Sequence, residues 1–166
     1  VAREMSLLQL SVDGKPLRTV TGFSYIEDID FNEKEGSLWI ADNWAGKVFK
    51  ILPASLPMGK TAKSDGNSLT VPLTALEPFR LAANMYDNSV WIISHDVDHI
   101  DQYLTKVGSS GVALPEVEIG SIWDYPVYGI LPEDPKGSCL VWGANDPDSC
   151  TWITRYDAGT NQKETE

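Results

Sequence analysis

Three segments of the chain share one pattern at a spacing of about fifty residues, and this limits the possible folds more than any other feature. They are YIEDIDFNEKEGSLWIADNWAGKVFKI over 25–51, FRLAANMYDNSVWIISHDVDHIDQYLT over 79–105, and VYGILPEDPKGSCLVWGANDPDSCTWITRY over 127–156. Each reads as a short strand, a polar turn, an apolar strand, a polar loop and an alternating strand. Trp39 and Trp91 are 52 apart, and Val141 falls 50 further on. A supersecondary unit repeated at this period predicts propeller blades or a related array, because a single unit cannot bury its own apolar faces.

The connections fit four-stranded units. PASLPMGKTAKSDGNS, 53–68, is rich in Pro, Gly and Ser and reads as an exposed loop. SLTVPLT, 68–74, reads as an outer fourth strand, and a second one is expected near Val117–Ile119. LLQLSVDGKPLRTV, 7–20, carries Asp13-Gly14 between alternating runs, a hairpin signal that suits the last two strands of a preceding blade. The fold class expected is all-β, with propeller-type antiparallel blades in an incomplete ring or fragment. One domain spans 1–166: a blade end at 6–21, blade one at 23–74, blade two at 76–120 and blade three at 124–160. Inner strands such as SLWIAD pack on both faces, so an unbroken apolar run is expected there.

Composition sets the partners. With 24 acidic against 13 basic residues the net charge is −11, which opposes phosphate backbones and anionic membranes. No apolar run reaches the roughly 20 residues of a membrane-spanning helix. The chain begins at Val1 rather than Met, as a processed or truncated piece would. Three and a half blades do not close a ring, so either the chain is a fragment, or another protein chain or a second copy completes the ring, or the fold is a different all-β arrangement.

The two cysteines, Cys139 and Cys150, flank an apolar strand and the turn residues Asn145-Asp146-Pro147-Asp148. A hairpin centred on that turn would bring them nearly opposite, at the separation of cross-strand neighbours. A disulfide would place the protein in an extracellular or periplasmic compartment. Two buried thiols in a cytoplasmic protein is the competing reading.

IEDIDFNEKEGSLWIADNWAGKVFKI resembles a blade of the broad six-bladed propeller superfamily. That group includes NHL-repeat, gluconolactonase-type and strictosidine-synthase-like proteins. The opening DGKPLRTVTG is similar to an NHL-type blade ending. The resemblance is good over the first fifty residues and loose over the later repeats. In gluconolactonase-type members a Glu at the start of the first inner strand ligates a divalent cation, usually calcium. Glu27 holds that position, although Asp28-Ile29 follows it where the family has Gly-Pro. The family's Asn and Asp ligands from later blades would fall to Asn84 and Asp96. The motif indicates fold more than activity.

In a blade, the start of the first strand and the end of the second share one end. Glu27, Asp28, Asp42, Asn43, Arg80, His95, Asp96, Asp98, His99, Tyr128, Asn145, Asp146 and Asp148 are therefore expected on one face. HDVDH, 95–99, offers imidazole and carboxylate ligands for a transition metal, and equally suits a solvated hairpin tip. ADN, 41–43, and DPDS, 146–149, offer oxygen ligands for Ca²⁺, and equally suit ordinary turns. There is no G-x-S-x-G elbow, P-loop or dinucleotide fingerprint. Trp39 and Trp91 are expected in the core, Trp44 and Trp123 at the surface. Two functions follow. One is an extracytoplasmic module that binds a ligand or a protein through its acidic loop face or open blade edges. The other is a divalent-metal-dependent hydrolase of the lactonase type, with Glu27 as ligand.

Overall fold

The computed structural model describes residues 5–64, 68–73, 76–121, 127–132, 138–144 and 151–157. In chain order the strands are β1 (Met5–Leu10), β2 (Pro16–Phe23), β3 (Ile26–Asn32), β4 (Ser37–Asp42), β5 (Lys47–Ile51), β6 (Thr61–Lys63), β7 (Ser68–Pro72), β8 (Leu76–Ala83), β9 (Val90–Asp96), β10 (Asp101–Val107), β11 (Val117–Ser121), β12 (Val127–Pro132), β13 (Cys139–Ala144) and β14 (Thr151–Tyr156). The helical segments among the described residues are two 3-10 turns, Asn43–Ala45 and Pro53–Ser55.

The strands form four sheets. β3-β4-β5-β7 and β8-β9-β10-β11 are complete antiparallel four-stranded blades, and β12-β13-β14 supplies three strands of a third. The protein is all-β, built of propeller-type blades. The β1–β2 hairpin begins a further sheet at the amino end, turning through Gly14 at φ +75°. Inner strands β3, β8 and β12 line one cavity of about 590 Å³, floored by Asp28–Phe31, Leu81–Ala83 and Ile130–Pro132.

The apolar runs are buried on both sides. Trp39 and Ala41 of β4 pack toward blade two, against Leu81, Val90 and Ile92. Ile40 points the other way, toward Val20, Phe23 and Ala62 of the amino-terminal sheet. In β9, Val90 and Ile92 face blade one, while Trp91 and Ile93 face Val141 and Tyr156 of blade three. Alternate residues of one strand thus serve two interfaces, so polar residues have no face to occupy.

The repeat extends to side chains. In blade one, the Glu35 carboxylate accepts from Ser37 Oγ at 2.8 Å and pairs with Lys50 Nζ at 2.8 Å, while that ammonium lies 5.2 Å from the Trp39 ring. In blade two, Asp87, Ser89, Lys106 and Trp91 reproduce the set, with Nζ–Oδ2 at 2.6 Å and the ammonium 5.5 Å from the ring. Both lysines stand directly across the ladder from their tryptophans. Each ammonium is buried, yet it gains a carboxylate and a π face in place of water. In blade three the corresponding cross-strand pair is Val141 and Thr154.

Two expectations change. The segment 53–68 is not simply an exposed loop. Within it β6 pairs in parallel with β2, through Thr19–Thr61, Val20–Ala62 and Thr21–Lys63, and buries Leu56 and Ala62. Alternation of apolar and polar residues was hidden there by Pro, Gly and Ser on either side. Gly22 allows the approach: at φ +100° it lies where a Cβ would come 3.0 Å from Ser64 Oγ.

The second is the register of the hairpin that was expected to join Cys139 and Cys150. No disulfide joins Cys139 to a described residue, and Cys150 lies outside them. Cys139 is buried, and the register sets it opposite Tyr156, whereas Ala144 faces Thr151. The hairpin is therefore centred further along the chain than a Cys139–Cys150 pairing requires. Burial pushes the Tyr156 hydroxyl up to about 12, with the neighbouring Cys139 adding to it.

Two tests follow from the paired lysines. Replacing Asp87 by Ala removes the carboxylate that pairs with Lys106 at 2.6 Å, and should cost about 3 kcal/mol in urea unfolding. Burial raises the Glu35 and Asp87 carboxyls, but hydrogen bonds from Lys50 and Ser37, and from Lys106 and Ser89, outweigh it and hold both below their ordinary values of 4.5 and 3.8. Their contribution is therefore complete above about pH 4.5 and lost as pH falls through the depressed values. Acid unfolding followed by circular dichroism should show a smaller loss below about pH 3.8 in Asp87→Asn than in the parent chain.

Candidate functional site

One end of blades one and two carries a shallow cleft of about 340 Å³, lined by Tyr25, Glu27, Asn43, Trp44, Phe79, Arg80, His95 and His99. The strand ends assemble it. Register pairs Ile26 with Asp42 in blade one, and Glu77 with His95 in blade two, so the entry of each inner strand and the exit of its neighbour meet. Both inner strands carry a bulge at this end, between Ile26 and Asp28 and between Pro78 and Arg80. A bulge re-aims the side chain it displaces, and here the displaced residues are Glu27 and Phe79.

Asp42 builds the corner. It is buried, and its two oxygens accept the Ser24 and Tyr25 backbone N–H groups at 2.9 and 2.8 Å. That bond fixes the bend from β2 into β3. Asn43 is buried beside it, donates through Nδ2 to the Pro78 carbonyl at 3.3 Å, and so ties the 3-10 turn Asn43–Ala45 to β8. Gly46 ends that turn in the left-handed region at φ +58°, where a Cβ would meet the Leu76 carbonyl at 3.2 Å. Trp44, held on this turn, is 68% exposed and stacks on Tyr25 with centroids 4.9 Å apart.

Asp28 also turns out to be structural. Its Oδ2 accepts the Leu81 N–H of the next blade at 2.9 Å, and its Oδ1 accepts the Ile29 N–H. Two residues on, Asp30 Oδ2 accepts the Ala83 N–H at 2.6 Å. Asn32 completes the series through Nδ2 to the Asn84 carbonyl at 3.1 Å. The alternating polar residues of DIDFN therefore form a seam between the inner strands of two blades.

On the blade-two wall, His95 stacks on Phe79 at 3.9 Å and meets the edge of His99 at 5.7 Å. Burial lowers the His95 imidazole, and the charges of His99 and Arg80 add to this against an opposing effect of Asp96. Asp96 Oδ1 caps the turn after β9, accepting from Ile100 and Asp101 backbone N–H at 2.8 and 3.3 Å. His99 occupies the left-handed region at φ +57° and places Nδ1 3.4 Å from Glu77 Oε2. Asp98 is exposed at the tip of that turn.

Glu27 and Asp96, the expected metal ligands, stand on the same face. Among the described residues no group of three or more His, Cys, Asp or Glu is disposed to hold a metal ion. Tyr128 lies on β12, in a part of the chain where only the backbone is described, while Asn145, Asp146 and Asp148 fall outside the described residues. Tyr25 and Phe79 were not singled out in the sequence. Their signal is faint: each is one aromatic at the mouth of an inner strand.

The architecture is that of a propeller-like fragment, and the comparisons with known proteins agree at the level of fold. Among solved structures the chain is similar to Kuenenia stuttgartiensis hydrazine synthase, a protein that contains a β-propeller, with a TM-score of 0.67 and 9% identity over 92% of this chain and 45% of that one. The chain thus spans less than half the length of that solved chain. No family model and no curated protein sequence matches it.

The His95 environment gives a pH test. A lowered imidazole value means the unfolded chain binds the proton more readily, so this residue's contribution is present at neutral pH and lost as pH falls below the ordinary value of 6.5. In an NMR titration His95 should titrate below 6.5, and His99→Gln should move it upward by removing one of the positive charges.

Proposed function

We propose that the chain is part of a six-bladed propeller that works as a binding and assembly module, and that its open amino-terminal sheet is completed by another polypeptide segment. The observation that carries this reading is the state of β1. It pairs with β2 on one side, and among the described residues no strand pairs with its other side. Next to that edge runs a mostly apolar groove of about 290 Å³, walled by Leu7, Leu8, Ile29, Phe31, Leu38 and Ile51. Leu8, Ile29 and Phe31 are 53%, 42% and 48% exposed.

An open ladder edge beside an apolar groove is a template for strand addition. In a full blade two inner strands would occupy that place, with main-chain hydrogen bonds to β1 and apolar side chains over Ile29 and Phe31. The occupant is a pair of strands from another chain or a second copy. The hydrolase alternative needs ligands from several blades converging on one axis; the described carboxylates Asp28, Asp30 and Asp42 instead hold backbone amides.

Light scattering on the 18.3 kDa chain checks this. The chain should associate in a concentration-dependent manner, and Leu8→Lys with Phe31→Lys should return it to monomer mass with an unchanged circular dichroism spectrum. A parent chain that stays monomeric, unaffected by the two substitutions, would overturn a second copy as the occupant.

A further inference from the structure

The cleft between blades one and two gathers cationic and aromatic side chains. The chain carries a net charge of −11, yet this cleft gathers Arg80, His95 and His99. Its acidic neighbours are Glu27 on the blade-one wall, Glu77, which sits against His99, and Asp96, whose charge reaches His95. Arg80 also departs from the repeat. Asp30 and Ala82 face Trp39 and Trp91, so Arg80 stands where blade one has Asp28. Asp28 grips the next blade's backbone, whereas the Arg80 guanidinium lies over the Phe79 ring, 5.8 Å from its centroid, and bonds the Phe79 carbonyl at 3.0 Å. Among the described residues no carboxylate forms an ion pair with it.

The walls are flat. Tyr25 and Trp44 stack within 19° of parallel on one side, and Phe79 and His95 within 11° on the other. The Asn43–Pro78 hydrogen bond joins the turn that carries Trp44 to the residue before Phe79, so both pairs are set by one rigid junction. Ring faces of this kind attract another ring, and a guanidinium recognises a carboxylate through two parallel hydrogen bonds. The volume of about 340 Å³ suits a small molecule.

We propose that this cleft binds a planar aromatic carboxylate, its ring against the exposed face of Trp44 and its carboxylate on Arg80. A simple cation is disfavoured by Arg80 and the two imidazoles. An anion without a ring would leave the exposed Trp44 face unused.

The site can be probed with 2-naphthoate, monitored by calorimetry and by the Trp44 indole resonance. 2-Naphthamide serves as the neutral control and cyclohexanecarboxylate as the non-aromatic one. Saturable binding of 2-naphthoate is expected, with both controls weaker by about tenfold or more. Arg80→Gln should weaken 2-naphthoate about tenfold while leaving 2-naphthamide unchanged, and Trp44→Ala should weaken both. Because the ligand controls need no substitution, a misfolded variant does not blur the answer. Equal binding of acid and amide would overturn the role of Arg80. Equal binding of cyclohexanecarboxylate would overturn the stacking, and absence of saturation up to about 10 mM would overturn the site.

Discussion

Two carboxylates on one strand hold the neighbouring blade by its backbone, and much of the molecule is arranged around that grip. Inner strands of adjacent blades stand side by side without sharing a ladder, so their facing amides need acceptors from elsewhere. Asp28 and Asp30 supply them to Leu81 and Ala83, and Asn32 answers with a donor to Asn84. A charged acceptor makes a stronger hydrogen bond than a carbonyl, and its short side chain fixes the spacing. With β3 locked to β8, the turn bearing Trp44 can rest on Pro78, and the cleft acquires two walls of defined separation. Asp28, which the sequence alone would assign to an acidic binding face, is consumed in building the seam.

Blades one and two share more chemistry than their sequences advertise. An acid, a serine two residues later, a tryptophan two further on and a lysine across the ladder make one unit in both. The lysine stem covers the indole while its ammonium meets the acid at the turn, so the unit joins a polar rim to an apolar interior. Blade three keeps the strand pairing but fills the position with Val141 and Thr154. Interfaces between blades are thus of two kinds: a polar seam beside apolar packing between one and two, and between two and three a cluster built on Ala82, Trp91, Ile93 and Val141.

The period of the repeat and the inner strands were legible, because both follow from where apolar residues fall. Trp39 and Trp91 declare the core through spacing alone. What escaped was decided by partners distant in sequence. Nothing local distinguishes Asp28, which binds an amide of the next blade, from Glu27, which faces the cleft. Asp42 and Asn43 look like turn residues, and their burial depends on strand ends that meet only in the fold. β6 was hidden for a similar reason: three residues make no periodic pattern, and its partner β2 lies far upstream. The register of the hairpin after Cys139 differs from the one expected, since a turn of unspecified length leaves it open.

The parallel strand β6 has a further effect on the order in which the fold can form. It belongs to the connection between β5 and β7, yet its hydrogen bonds are made to β2. Blade one anchors both ends of that connection, which lowers the loop-closure cost of docking it against the amino-terminal hairpin. The hairpin is then held by a clasp that a finished blade offers. Its attachment reports on the completion of its neighbour, and chains that fail to build blade one would carry β1 and β2 loose at their amino ends.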